Sequence, residues 1–315
     1  MAQKGPGKHY REGMSLIDLM RMFPDDETAE KWFEQSRWPD GVRCAHCDGE
    51  NVSEASHPTM KYWCKDCRKY FSVKHGTVLQ SSKVGYQKWA LAIYILTTQI
   101  KGASSMKLHR DIGVTQKTAW HMAHRIRETW AKGTPSFAGP IEVDETYLGG
   151  KEKNKHFDKK QNAGRGTVGK AIVAGAKDRD TGHVDAQVVP NTKKRTLHGF
   201  VEERADVSAT VYTDEHQSYL GMPYEHETVR HGTSEFVRNQ AHVNGLESFW
   251  AMLKRGYHGT YHHMSGKHLG RYVNEFAGRH NDRPANTIDQ MANMARGLTG
   301  KRLRYQDLTA GGPAY

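Results

Sequence analysis

Four cysteines, at positions 44, 47, 64 and 67, are the only ones in the chain, and they stand as "CAHC" and "CKDC" with sixteen residues between the pairs. Two closely matched C-x2-C pairs are the pattern that brings four thiolates around one tetrahedral zinc. Two disulfides or a redox pair are the alternative, which a reducing cytoplasm disfavours. His46, His57 and His75 are near enough in sequence to substitute as ligands, but Cys44, Cys47, Cys64 and Cys67 already complete a shell. A second reactive pattern lies in "HVNGLESFWAMLKRG" (242–256). Glu247 and Lys254 are seven residues apart, two helical turns, so they share one face, while Leu246, Phe249, Trp250 and Leu253 form an apolar stripe. On this stretch alone a core helix with a solvated charged face explains the pattern as well.

These residues need elements to hold them. "MSLIDLMRMFPDDETAEKWFEQSRW" (14–38) shows helical periodicity on both sides of Pro24, with "DDET" supplying a cap and acidic first turn. The cysteine module follows, where Tyr62, Trp63, Tyr70 and Phe71 offer the small core that a ribbon needs. After "YQKWALAIYILTTQI", the stretch 104–130 places Leu108, Ile112, Gly113, Val114, Ala119 and Met122 as the inner positions and tight turn of a helix-turn-helix. Its second helix leaves Gln116, Lys117, His121 and Arg125 outward as DNA contacts, although His109 stands where a small residue usually lets the helices approach. An ordinary helical hairpin fits the same spacing.

"AKGTPSFAG" (131–139) has linker composition, and beyond it the periodicity changes. "PIEVDETYLGG" (140–150), "VGKAIVAGAKDRD" (168–180) and "GHVDAQVVP" (182–190) read as three successive strands, 192–205 as a helix, and "ATVYTDEHQSY" (209–219) as a fourth strand ending near Asp214. Between the first two lies a basic insertion, 151–166, suited to a solvated loop or to a clamp on a nucleic-acid backbone.

The chain has 315 residues, 37% hydrophobic, and a formal net charge of +11. Lys and Arg are spread along its length, which suits extended contact with a polyanion and equally suits solubility. The N-terminus lacks a signal-peptide core and "WALAIYILTT" (89–98) is too short to span a bilayer, so a cytoplasmic protein with no membrane partner is expected.

Asp144 in the first strand, Asp214 at the end of the fourth and Glu247 on the later helix together resemble the acidic triad of RNase H-like nucleotidyltransferases. The resemblance then becomes specific. Residues 242–283, with "VDETYLGG" and "YTDEHQSY" as the two aspartate motifs, look like bacterial insertion-sequence transposases of the zinc-ribbon, DDE type, those with an ISXO2-like transposase domain, related to eukaryotic Merlin elements. It extends from the cysteine pairs through Arg283.

The resemblance implies a multidomain α+β protein: an N-terminal zinc ribbon and helix-turn-helix, then an α/β RNase H-like catalytic domain with a mixed five-stranded sheet. The expected divisions are a helical lead-in (1–38), zinc ribbon (39–76), helix-turn-helix region (77–130), linker (131–139), catalytic domain (140–285) and C-terminal tail (286–315). It implies binding of terminal inverted repeats, cleavage of DNA 3′ ends with Mg2+ or Mn2+ held by Asp144, Asp214 and Glu247, and strand transfer to target DNA by a homodimer or higher oligomer acting at the nucleoid. Lys254 and Arg255 would contact DNA. Some relatives carry Asn in the third slot, and Asn244 lies one turn before Glu247. Glu247 is the preferred ligand, because a carboxylate neutralises metal charge and an amide does not. His242, His262 and His263 take auxiliary DNA or supporting roles, and Glu145 and Glu215 stay outside the catalytic set, Glu145 because strand alternation turns it to the opposite face.

Overall fold

Pro24 separates two capped helices, α1 (Leu16–Met22) and α2 (Asp26–Arg37). Ser15 caps the first; the Asp25 carboxylate accepts the Thr28 N–H at 2.8 Å and caps the second. The computed structural model describes residues 11–131, 133–150, 156–160, 167, 169–229 and 244–311. The chain divides into two units, Met1–Ala131 with Asp282–Gly311, and Lys132–Asn281 with Gly312–Tyr315.

In the first unit a three-stranded antiparallel sheet, β1 (Val52–Glu54), β2 (Tyr62–Cys64) and β3 (Lys69–Phe71), carries the cysteines. Strand alternation splits the four aromatics of this ribbon. Tyr62 and Phe71 stack in its core, whereas Trp63 and Tyr70 pair on the outer face, with Tyr70 44% exposed. Helix α3 (Tyr86–Thr98) is apolar nearly all round, as a central helix must be. It is followed by α4 (Ser105–Ile112) and α5 (Gln116–Arg127), joined at Gly113 in the left-handed conformation (φ 59°). His109, the oversized residue of the turn, pairs its Nδ1 with the Val114 carbonyl oxygen, so it closes the turn rather than blocking it.

The stretch 286–315, expected to be a tail, contributes α9 (Thr287–Arg296) and α10 (Tyr305–Thr309) to this same unit. Met291, Met294, Ala295 and Leu298 enter one core with Trp89, Ile93 and Leu96 of α3. Amphipathic periodicity in 287–298 carries this signal, but short helices distant in sequence from their partners are hard to place by pattern alone.

The second unit holds the mixed five-stranded sheet, ordered β6-β5-β4-β7-β8: β4 (Ile141–Leu148), β5 (Ala171–Asp178), β6 (Val184–Val189), β7 (Thr210–Asp214) and β8 (Glu225–Val229). The first three are antiparallel and β7 and β8 run parallel to β4. Helix α6 (Lys194–Glu202) supplies Leu197, Phe200 and Val201 to one face. Helices α7 (Asn244–Gly256) and α8 (Gly266–Asp282) cover the other with Leu246, Phe249, Leu253, Val273 and Phe276. The supposed linker ends in an anchor: Phe137 is buried in the α6-side core and exchanges backbone hydrogen bonds with Arg204 and Asp206. Apart from residues 156–160, which hold a short turn at Phe157–Lys159, the basic insertion 151–166 and His242 lie outside the described residues.

Candidate active site and metal centres

Strand β4 sets the site. Its alternation sends Ile141 and Val143 into the α6-side core and turns Glu142, Asp144 and Leu148 toward α7. Ile141 pairs with Val211 and Glu142 with Tyr212 on β7; two residues beyond that last pair on each parallel strand stand Asp144 and Asp214, near enough for the Asp214 charge to act on Asp144. The Asp144 carboxyl is pushed up to about 7, first by burial and then by the charges of Asp214 and Glu145. A half-buried carboxylate under repulsion from a second one is a donor set that a hard cation relieves.

Trp250 acts on that carboxylate directly. Its indole N–H donates to Asp144 Oδ2 at 2.9 Å. The ring lies over Gly175, the β5 residue paired with Asp144. A Cβ at position 175 would stand 2.6 Å from the indole, so glycine is what lets the ring reach across. In the sequence Trp250 belongs to the apolar stripe that anchors α7; its bond to the aspartate arises only from the packing of α7 on β4.

Glu145 does face away from Asp144, yet it remains within electrostatic reach of Asp214. Tyr219, fully buried, donates its hydroxyl to Glu145 Oε2 at 2.7 Å. Burial and the charges of Glu145, Asp144 and Asp214 raise the Tyr219 hydroxyl far above its ordinary range, so it stays a donor. The backbone N–H of His216 donates to Asp214 Oδ1 at 3.0 Å. The "YTDEHQSY" motif thus supplies an aspartate, the amide that orients it and the tyrosine beneath it.

The third slot is less assembled. Glu247 lies exposed in the first turn of α7, and Lys254 and Arg255 lie exposed in its last turn. The carboxylates of Asp144, Asp214 and Glu247 are not all within 4.8 Å of one another; among the described residues only the four cysteines form such a group. Asn244 opens α7, and its side chain is outside the described atoms. His262 and His263 are exposed after a π-helical turn (Tyr257–Tyr261) and, with His156 and Lys170, line a cavity of about 590 Å³.

In the ribbon, Cys44 and Cys67 sulfurs are 3.6 Å apart and those of Cys47 and Cys64 3.7 Å. Four sulfurs each ~2.3 Å from a tetrahedral zinc would be separated by about 3.8 Å, and a disulfide by about 2 Å. The donor set fits zinc and excludes the paired-disulfide alternative.

The helix-turn-helix residues divide. Gln116 and Lys117 are exposed, Gln116 bonded to Ser105 and Lys117 set over the Tyr305 ring at 4.5 Å. Arg125, expected to face outward, is 8% exposed and donates to the carbonyl oxygens of Leu303 and Gln80. His121 Nε2 pairs with the same Leu303 carbonyl at 3.1 Å. The segment entering α10 covers this part of α5, a long-range contact that helical periodicity cannot show.

A ribbon whose four cysteines fit zinc and an α/β unit with aspartates on adjacent strands of a mixed five-stranded sheet define the class, a zinc ribbon joined to an α/β domain. Residues 136–281 match the family described as ISXO2-like transposase domain, and residues 24–70 match the transposase zinc-ribbon domain. Over 254 residues the chain is 31% identical to "Uncharacterized protein in transposable element ISH50" of Halobacterium salinarum (strain ATCC 700922 / JCM 11081 / NRC-1), spanning 75% of this chain and 84% of the relative. The chain belongs to the family of transposases with an ISXO2-like transposase domain. A chain from the simian T-cell lymphotropic virus intasome, solved by cryoEM in complex with PP2A regulatory subunit B56 gamma, is 14% identical with a TM-score of 0.27, over 60% of this chain and 65% of that one. That likeness carries no argument. No helix among the described residues is long and apolar enough to cross a membrane.

Proposed function

We propose that this protein is an active DNA transposase that binds the terminal inverted repeats of its element, cleaves the 3′ ends and joins them to target DNA. The observation that carries the reading is the pair Asp144 and Asp214 on adjacent parallel strands, with the Asp144 carboxyl pushed up to about 7 by burial and repulsion. Asp144, Asp214 and Glu247 are the residues that would hold the Mg2+ or Mn2+ ions. When bound, such ions activate an attacking oxygen and stabilise a leaving one in phosphodiester displacement.

The chain's own groups do the rest. Trp250 fixes one Asp144 oxygen, the His216 amide fixes Asp214, and the two carboxylates keep one orientation toward the scissile phosphate. Exposed Lys254 and Arg255 on the Glu247 helix contact DNA phosphates. Gln116 and Lys117 of α5 contribute to repeat recognition, and a homodimer or larger assembly holds two ends together. The lead-in, ribbon, helix-turn-helix and catalytic divisions follow the same reading, and so does work in the cytoplasm on chromosomal DNA.

The test incubates purified protein with Mg2+ and the DNA ends flanking its gene. Nicked 3′ ends and joined products are expected. Cleavage without joining would make the protein a nuclease, and specific binding without either product would make it a non-catalytic DNA-binding protein.

A further inference from the structure

Two residues before Asp144 on the same face of β4, Glu142 carries a carboxylate that is 1% exposed. Burial of a charge is costly unless it is paired and hydrogen-bonded. Here Arg179 Nε donates to its Oε1 at 3.1 Å, and the guanidinium lies 3.8 Å from the centre of the Tyr212 ring. The other oxygen does something distinct: Oε2 accepts the backbone N–H of Leu246 at 3.2 Å. Leu246 is the third residue of α7, whose first-turn amides have no partner inside the helix. A carboxylate there is also favoured by the helix dipole.

Glu142 and Asp144 therefore make parallel ties to one helix. Glu142 holds Leu246, and Asp144 accepts from Trp250, four residues on. Two residues of a strand advance about 6.7 Å and four residues of a helix about 6.0 Å, so the ties match in span and lock one register. Glu247 lies between them. Gly245 shows how close the approach is: a Cβ there would stand 2.6 Å from Glu142 Oε2 and closer still to Lys177 Nζ. The glycine before "LESFW" is the residue that lets the helix start against this charged cradle.

The geometry points to Glu142 as a positioning residue that sets the register of α7, and hence of Glu247, against Asp144. Its importance for cleavage rests on the transposase reading; its hold on the helix does not. The test combines hydrogen exchange of the metal-free protein with cleavage kinetics. Glu142→Ala and Gly245→Ala, whose added carbon meets Glu142 Oε2, should each speed exchange of the first turn of α7 by about tenfold while β4 and β5 stay protected. Both should lower kcat for end cleavage by about tenfold or more and leave KM for DNA within about twofold. Glu142→Gln, which keeps an acceptor oxygen, should restore most of both. Unchanged exchange in Glu142→Ala and Gly245→Ala, or Glu142→Gln as damaging as Glu142→Ala, overturns the proposal. If the wild-type protein cleaves nothing, the transposase reading fails by itself and exchange still decides the role of Glu142.

Discussion

The indole of Trp250 donates its N–H to Asp144 Oδ2 at 2.9 Å across the space left by Gly175. A residue whose type says core therefore also orients the first aspartate of the site. Trp250→Phe keeps most of the apolar contact and deletes one hydrogen bond to a carboxylate, an interaction of about 1.5–3 kcal/mol. Cleavage should fall by about 10- to 100-fold with little change in DNA affinity, measured by single-turnover kinetics beside a binding titration. Gly175→Ala should resemble it, because the added carbon displaces the ring.

The aspartates and Glu247 carry the central claim. Asp144→Asn, Asp214→Asn and Glu247→Gln should each reduce metal-dependent cleavage and joining to background while specific DNA binding persists, since each removes a charged ligand at nearly constant volume. Asn244→Ala serves as the control. Loss of cleavage in Asn244→Ala with full activity in Glu247→Gln would transfer the third slot to Asn244.

The Asp144 carboxyl titrates near 7 in the folded chain, above its ordinary value of 3.8, chiefly through burial. A carboxyl raised on folding contributes stability that is complete below its unfolded pKa and is lost as pH rises through the folded one. Tm of the metal-free protein should therefore fall between pH 4 and about 7. Asp144→Asn should flatten that fall, and Mg2+ should raise Tm most at the upper end of the range. A profile identical in wild type and Asp144→Asn would show that burial of this carboxyl has no energetic consequence.

Purified under reducing conditions, the protein should contain about one zinc per chain by elemental analysis. Cys64→Ser should release it and expose the Tyr62–Phe71 core of the ribbon, while the sheet of the second unit melts as before. Metal-free protein with an intact ribbon would remove zinc from the account.

On α5 the exposed and covered residues should behave differently. Lys117→Ala should weaken DNA binding and lower its salt dependence by about one ion. Arg125→Ala should instead lower Tm, as it removes one hydrogen bond to the Leu303 carbonyl and one to the Gln80 carbonyl, a loss of roughly 1–3 kcal/mol. An Arg125→Ala protein of normal stability but reduced repeat affinity would return Arg125 to the DNA-contacting set.

Much of this molecule is written locally. The cysteine spacing predicts the four sulfurs that meet within 4.8 Å, "DDET" predicts the cap on α2, and alternation in "PIEVDETYL" and "GHVDAQVV" predicts two strands and the opposite facing of Asp144 and Glu145. Such features follow from neighbours a few residues apart, whose geometry is fixed by helical or strand periodicity. The resemblance implies five strands, but periodicity does not locate the fifth, Glu225–Val229, because its charged residues hide the alternation at the sheet edge. Contacts between residues far apart in the chain are the province of the tertiary structure alone. It buries Arg125 under Leu303, draws residues 287–298 into the core of α3, and sets Trp250 on Asp144 and Glu142 on Leu246. In each case a side chain, polar or apolar, finds its partner through packing of separate elements, which no spacing in the sequence records.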